Sequence, residues 1–471
     1  MSPDIGAKTA PGGISIYLAL TFMLLVSFMG AVLESASLQN AKNSKRAALN
    51  NAIESVFAEY RKELLEDYDI FALEATYEDG SYDEGILWDR LRFYGANDFD
   101  HSIKRIQFLT DNGCTGFLDQ VIAFMQHKYG LDYIGGIVQK TEAVELYEDQ
   151  ASAYEEEFSG VSHEVEAVSE VEANAAGNQT ATDAQNKSGT EISSSDIEEV
   201  LSRPILSMVK PKDMEVSDKS AELSELPSHR ELRKGSGGFS DFEDNLIAKG
   251  LTGEYLLEHF GNAAHPKENR GLSYEIEYIL CGSSSDKVNL QKIANRLVWI
   301  RFVLNYMYIQ SDKEKKNEAE IAAAAISVLL MNPEIYESLS EIILFAWAYG
   351  ESCMDVKSLL QGNRVPAMKS KKTWQLGLKS LLKVGSSNAK SDSTDEEGGL
   401  SYEDYLRAFL LISKQQKKAI RALDMIELTL TREKGLDFFK VDHCIEKIEI
   451  ESTAHLRKGI NYSFPTYFGY N

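Results

Sequence analysis

Chemistry in this chain of 471 residues would have to come from side chains that lie far apart. The eight histidines are scattered. No H-E-x-x-H, G-x-S-x-G or P-loop pattern occurs, so zinc hydrolysis and acyl transfer from a nucleophile elbow leave no footprint. The glycines of KGSGGFS (Lys234–Ser240) have no strand before them and no Gly-Lys-Ser/Thr after them, which removes a phosphate cradle. His443 and Cys444 adjoin, and on a strand neighbours point to opposite faces. His259 and His265 read as surface or capping residues near a turn. Glu275 and Glu277 would share one strand face, as a carboxylate pair might for acid–base work; with no third group nearby they read as a solvated sheet face. The sharpest constellation is architectural. Arg301 and Asn305 lie one turn apart on a largely apolar helix, and Glu351 and Asp355 one turn apart on another. A buried arginine needs a partner, so Arg301 is expected to pair with Glu351 or Asp355. Neither an enzymatic activity nor a cofactor or metal is expected.

The element that organises the chain is the stretch ISIYLALTFMLLVSFMGAVL, Ile14 to Leu33: twenty residues with no charge and no proline. Its length is what a helix needs to cross a hydrocarbon core of about 30 Å. Eleven of the twenty are Leu, Ile, Phe or Val. At about −0.3 to −0.6 kcal/mol each, they favour insertion by about 3–7 kcal/mol. Ile14, Leu18, Phe22, Leu25, Phe28 and Leu33 mark this anchor, and Met1 to Gly13 form a short flank before it. Two other readings of the stretch are a cleaved signal peptide, with small residues at Ser35 and Ser37, and a buried core helix; the apolar run exceeds the usual 7–15 residues of a signal. A bilayer is therefore an expected partner.

The pattern stays helical past Leu33. No Gly or Pro occurs from Glu34 to Asp67, and Leu49, Ile53, Val56, Tyr60 and Leu64 recur at helical spacing. Such a helix could pack beside copies of itself or hold a domain away from a membrane. The net charge of −24 and a pI of about 4.9 exclude the basic footprint that nucleic-acid binding needs. The acid is concentrated: residues 141–200 hold 16 Asp or Glu and one Lys, the pattern of a solvated helix face and linker. The four cysteines are far apart and read as buried apolar residues.

The expected architecture is α+β. Residues 34–174 hold the extended helix and a small α+β domain. It has a short strand at Asp69–Leu73, a helix around Ile86–Trp88 and strand character over His101–Thr110. A second helical region runs from near Thr115 towards Asn174, as a coiled-coil arm or a helix lying on the first. Residues 175–240 are poor in apolar residues and read as a disordered polar linker. Residues 241–471 form a mostly helical domain with a small antiparallel sheet. In it Ser273–Cys281 alternates like a strand and Asp286 is placed to cap the helix Val288–Gln310. Helices follow at Ala319–Met331, Pro333–Cys353 and from Tyr402, opened by the Ser401/Asp404 capping box. A polar insertion lies between Lys379 and Gly399. Lys440–Ser452 and Gly459–Tyr467 read as strands that partner Tyr274.

The chain also resembles a known family. The residues that carry this are GISIYLAL (Gly13–Leu20), LESA (Leu33–Ala36), SVFAEY (Ser55–Tyr60) and LLEDY (Leu64–Tyr68). Further along they are YEIEYIL (Tyr274–Leu280) with Gly282, Asp286, Asn289 and Leu290; Trp347 with Glu351, Ser352 and Asp355; Leu359, Leu360 and Gly362; and Tyr402, Tyr405 and Leu406. Together they resemble the DUF5702 family of membrane-anchored Firmicutes proteins, and the anchor is similar to those of TadE- and TadG-like pilus proteins. The resemblance implies a minor-pilin or pseudopilin-like part of a tight-adherence (type IVc) pilus or secretion system. It also implies pilus proteins as partners, a helix-mediated oligomer, and a large domain outside the cell membrane. Gly13 then corresponds to the residue before a prepilin peptidase cut. The fifth residue after it is Leu18, where such pilins carry Glu. The flanking charges, Lys8 before the span against Lys42, Lys45 and Arg46 after it, point the other way, to a tethered sensor or scaffold with a cytosolic domain.

Overall fold

The computed structural model describes residues 12–129, 134–177, 192–239, 244–385, 395 and 398–470. The chain opens with α1 (Gly12–Phe57), then α2 (Lys62–Tyr68), β1 (Leu73–Glu74), α3 (Glu84–Phe93), β2 (Phe99–Phe108), α4 (Asp111–Tyr129) and α5 (Ile134–Gly177). There follow α6 (Ser194–Ser202), α7 (Ile205–Val209), α8 (Leu246–His259), α9 (Glu275–Cys281), α10 (Asp286–Ser311), α11 (Lys313–Leu329) and α12 (Tyr336–Leu360). Last come α13 (Tyr402–Ile412), α14 (Gln415–Glu433), β3 (Cys444–His455) and β4 (Asn461–Gly469). This is the expected α+β class, mostly helical with one small antiparallel sheet.

The two halves of α1 live in different surroundings. From Ile14 to Leu33 every large apolar side chain is at least half exposed, from 50% at Val32 to 71% at Ile14. In the second half Leu49, Ala52, Ile53, Val56 and Phe57 are buried. Their spacing at i, i+3, i+4, i+7 and i+8 puts them on one stripe. That stripe lies on the sheet, where Phe57 stacks on Phe468 at 4.3 Å, and α3 closes the side with Leu87 and Leu91. A buried Leu, Ile, Val or Phe contributes roughly 1.5–3 kcal/mol, so this stripe clamps the helix firmly. The helix stops at Phe57, so Tyr60 and Leu64 do not extend the stripe; Leu64 belongs to α2 and to the second core.

β3 is the hub of the sheet. It runs antiparallel to β2 along one edge, with Phe99 opposite Ala454 and Phe108 opposite Ile445. Its other edge takes β1 at Cys444 and Ile445, then β4 from Lys447 to His455. The C-terminal strands therefore complete the N-terminal sheet; they do not partner Tyr274. The second core gathers α2, α4 to α14 and the segments between them. The division at 174 and 241 is thus not how the chain packs, because each core draws on residues from both sides of it.

Four further expectations give way. Residues 194–239 are not a free linker. Ile197, Val200, Leu201, Met208 and Val209 are buried, and the polar residues after them are partners for buried acids. Ser217 donates to Asp286 at 2.6 Å, Ser228 to Asp424 at 2.6 Å, and Arg230 pairs with Glu427 and Asp442. Composition alone could not separate such a strap from solvated chain. Residues 178–191 of the linker, most of the insertion before Gly399 and the flank before Gly12 lie outside the described residues. Next, Ser273–Cys281 holds the helix α9 and not a strand, closed by Gly282 in the left-handed region at φ 70°. Asp286 is the first residue of α10, and its carboxylate accepts from Ser273 and Tyr274 backbone N–H groups; it braces the chain before α9 and caps nothing. Finally, α5 is neither an arm nor a partner of α1. Tyr154 and Phe158 pack it edge-on against Phe302 and Trp299 of α10, Glu148 pairs with Arg296 and Glu172 accepts from the Ser194 N–H, and Glu145, Asp149, Glu155, Glu156, Glu157, Glu164, Glu166 and Glu170 are exposed.

Candidate functional site

The uncovered half of α1 is the first candidate. Of the hydroxyls on this stretch, Thr21 Oγ1 donates to Tyr17 O and Leu18 O, both at 3.0 Å. The hydroxyl thus needs no water, which removes most of its cost in hydrocarbon. Gly13 has no atom that a Cβ would meet within 4 Å, so the position expected for processing is open. Ile14, Leu18, Phe22, Leu25, Phe28 and Leu33 all stand exposed on the same uncovered helix. This helix is long and apolar enough to cross a membrane, and the same properties fit a signal sequence.

Directly beyond Leu33 the surroundings change sign. Lys458, in the turn between β3 and β4, pairs with Glu34. Lys42 lies over the Tyr462 ring at 5.0 Å and Arg46 over the Phe464 ring at 5.3 Å. Lys45 donates to Asn97 O at 3.1 Å and lies 3.5 Å from Asp98. Lys42 and Arg46 thus have partners on β4, and Lys45 has them in the loop before β2 and at the Phe99 ring, 5.1 Å away. A groove of about 720 Å³ runs between α1 and the turn.

The second candidate is the buried ion network. Arg301 Nη2 lies 2.8 Å from Asp355 Oδ2, and its Nε donates to the same oxygen at 3.0 Å. Arg301 Nη1 donates to Pro366 O at 3.0 Å, and Asn305 donates to Asp355 at 2.9 Å. Glu351 takes a different cation, Lys369, at 2.6 Å, and Lys369 also reaches Asp355 Oδ1 at 2.6 Å. The backbone N–H of Leu376 completes Glu351 at 2.8 Å. Burial alone would raise Asp355; Arg301 and Lys369 outweigh it and hold the carboxyl below its ordinary value. Of the two expected partners, Asp355 takes the arginine. Lys369 was not foreseen, since it sits in the lysine-rich run MKSKK that reads as solvated. All four charged side chains are fully buried, so the network ties α10, α12 and the loop after α12 together without facing a substrate.

A third cluster surrounds α9. Glu277 accepts from the Ala263 N–H at 2.8 Å and the Tyr402 hydroxyl at 2.7 Å, and Glu275 accepts from the Gly261 N–H at 2.8 Å. These glutamates are buried, which corrects the solvated-face reading. Burial pushes both up to about 7, Glu446 to about 7 and Glu427 to about 8. The pH consequence follows from linkage. The folded state holds these protons where the unfolded chain, near 4.5, releases them. Their contribution is fully present below about pH 4.5 and is lost as pH rises through about 7. His101, lowered to about 4 by burial, and His443, also lowered by burial, act in the opposite sense below 6.5. Lys418, lowered to about 7 by burial, opposes the acids only from about pH 7 upward, and four acids outweigh it and the two histidines, so the folded body is expected to melt lower at pH 7.5 than at pH 5.5. At about 2–4 °C per kcal/mol, Glu277→Gln should remove a measurable part of that slope in a calorimetric pH series. An unchanged slope would show that Glu277 does not hold the proton.

Elsewhere, His259 is buried and not on the surface: its Nε2 lies 3.0 Å from Asp69, and Nδ1 donates to Tyr255 O at 3.0 Å. His265 is exposed, 3.9 Å from Glu403. His443 sits in a single helical turn just before Cys444 opens β3. The four cysteines are free, three of them buried. Among the described residues no group of three His, Cys, Asp or Glu side chains is placed to hold a metal.

Comparison with known proteins gives one match. The model of a family of unknown function, DUF5702, covers residues 183–456. That range takes in the strap, α8 to α14 and β3, and leaves α1 outside it. No curated protein and no solved structure matches.

Proposed function

The chain belongs to the DUF5702 family, whose function is unknown, and from that premise we propose that it is a membrane-anchored structural and interaction protein. It would serve as a minor-pilin-like part of a tight-adherence pilus or secretion machine, with its folded body outside the cell. The observation that carries this reading is the division of α1. One half is bare and apolar over twenty residues; the other is clamped to a sheet, with no break between them. A helix built this way transmits position: what its first half packs against fixes where the body stands. In a bilayer the bare half meets lipid, and within an assembly it can pack beside other membrane helices. No turnover is part of this reading; Arg301, Lys369, Glu351 and Asp355 are bonded to one another inside the second core.

A second reading keeps the anchor and puts the body in the cytoplasm as a tethered sensor or scaffold. It is favoured by the excess of Lys and Arg after the span. Lys42, Lys45 and Arg46 have partners on the sheet or in the loop before β2, however, which gives their position a reason independent of orientation. Topology separates the two. Of the native cysteines only Cys281 is partly exposed, so Cys281→Ser gives a quiet background. A cysteine at the exposed Asp213 position, Asp213→Cys, should react with a membrane-impermeant thiol reagent on intact cells. Reaction only after lysis would overturn the pilus-associated reading and leave the tethered sensor.

A further inference from the structure

We propose that the turn between β3 and β4, together with the first turns of α1 beyond Leu33, is a seat for anionic phospholipid headgroups. The inference rests on the reading of Ile14–Leu33 as a membrane span and adds how the folded body stands on the bilayer.

Height is the first argument. The Lys458 ammonium pairs with the Glu34 carboxylate, the residue immediately after the apolar stretch. The turn is therefore held level with the end of the span. The groove beside it runs along α1 from Glu34 to Lys45. At 1.5 Å per residue that covers about 16 Å, starting within the headgroup layer of about 5–8 Å that flanks the hydrocarbon. A body attached by such a helix brings Arg457, Lys458 and Ile460 to the lipid surface.

Charge is the second. The whole chain carries −24, yet residues 34–46 and 455–460 hold five Lys or Arg against one acid, Glu34. Asp98 and Asp100 stand nearby, next to Lys45 and His455. Arg457, Lys458, Gly459 and Ile460 are all exposed. A negative body with a basic end at its point of attachment suits an anionic surface, to which clustered Lys and Arg are drawn within a Debye length. The turn also presents an apolar residue, Ile460, 38% exposed, beside its two cations. That pairing fits a layer where phosphates sit above the start of the acyl chains.

The backbone supports a fixed seat. Leu456 N–H donates to Ile460 O at 2.8 Å, and Lys458 takes φ 63° to close the turn. The cations are thus presented by a short, closed loop.

The test uses the full chain in nanodiscs, one set of phosphatidylcholine alone and one with phosphatidylglycerol added. Amide hydrogen exchange is followed for the peptide 455–462, with α8 as an internal control. Exchange at the turn should slow by about fivefold or more in the anionic discs. The double charge reversal Arg457→Glu/Lys458→Glu should abolish that difference and leave α8 unchanged. Equal exchange in both lipids overturns the seat while the span stands. Failure of the chain to enter discs at all overturns the span reading itself. Protection that appears only with two copies per disc, whatever the lipid charge, would assign the turn to a second copy of the chain and also overturn the proposal.

Discussion

Phe22→Asp combined with Leu25→Asp is expected to move the protein from the membrane to the soluble fraction. The wild-type stretch favours insertion by about 3–7 kcal/mol. Each carboxylate near the helix centre costs roughly 2.5–3.5 kcal/mol on the same scale, and two apolar side chains are lost as well. The sum falls to near zero or below, so carbonate extraction should release the double variant and retain the wild type. The folded body should be indifferent. Phe22 is 68% exposed and Leu25 57%, and neither belongs to either core, so the melting temperature of the body should not change. A variant that stays in the pellet would mean that the body, not the helix, holds the protein at the membrane. A variant that leaves the membrane but melts lower would mean that the bare half packs on its own body, contrary to its exposure. The signal-peptide reading is separated by intact mass: the membrane form should still contain Ile14–Leu33.

What could be read from the sequence was what depends on local spacing. Leu49, Ile53 and Val56 announced the clamped stripe, because helical periodicity is a property of neighbours. The Ser401/Asp404 capping box forms as its pattern requires. Arg301 announced a buried partner, because an arginine among apolar residues has few other ways to exist. What could not be read depends on distant chain. β3 pairs with β2 across more than 330 residues, and nothing in either strand names the other. Lys369 looks solvated among its lysine neighbours until Glu351 and Asp355 are brought over it. Glu275 and Glu277 alternate as a strand would, yet backbone N–H groups of the loop at Gly261 and Ala263 hold them inside a helix start. The strap from Ser194 to Phe239 failed for the same reason. Its serines and arginines are polar because buried acids elsewhere need donors, and polarity alone suggests water. The uncovered half of α1 was legible throughout, since it is defined by the absence of charge and needs no partner within the chain.

Arg301→Met is expected to cost about 3–5 kcal/mol of stability, the usual consequence of removing one partner from a buried charge pair. The loss has three sources in this structure. Asp355 keeps Lys369 and Asn305 but loses two guanidinium hydrogen bonds. Lys369 is then the single cation for two buried carboxylates, its own partner Glu351 included. Pro366 O and Ala367 O lose their donor, and the loop after α12 loses its tie to α10. Denaturant midpoints should show the change without altered surface exposure on unfolding. Should Arg301→Met fail to fold, Arg301→Lys tests the same point more gently. Lysine keeps the charge but cannot hold Asp355 with two nitrogens while reaching the loop carbonyls. The double variant Arg301→Met/Asp355→Leu should recover part of the loss, because it removes the stranded carboxylate and leaves Lys369 with Glu351 alone. A single variant costing under about 1 kcal/mol would refute the network as the tie between α10 and α12. Membrane retention of the Arg301 variants should not change, because Ile14–Leu33 shares no contact with this core. Anchor and body would then fail separately. That is what a bare helix joined to an independently packed body predicts, and a protein whose anchoring depended on its second core would not behave so.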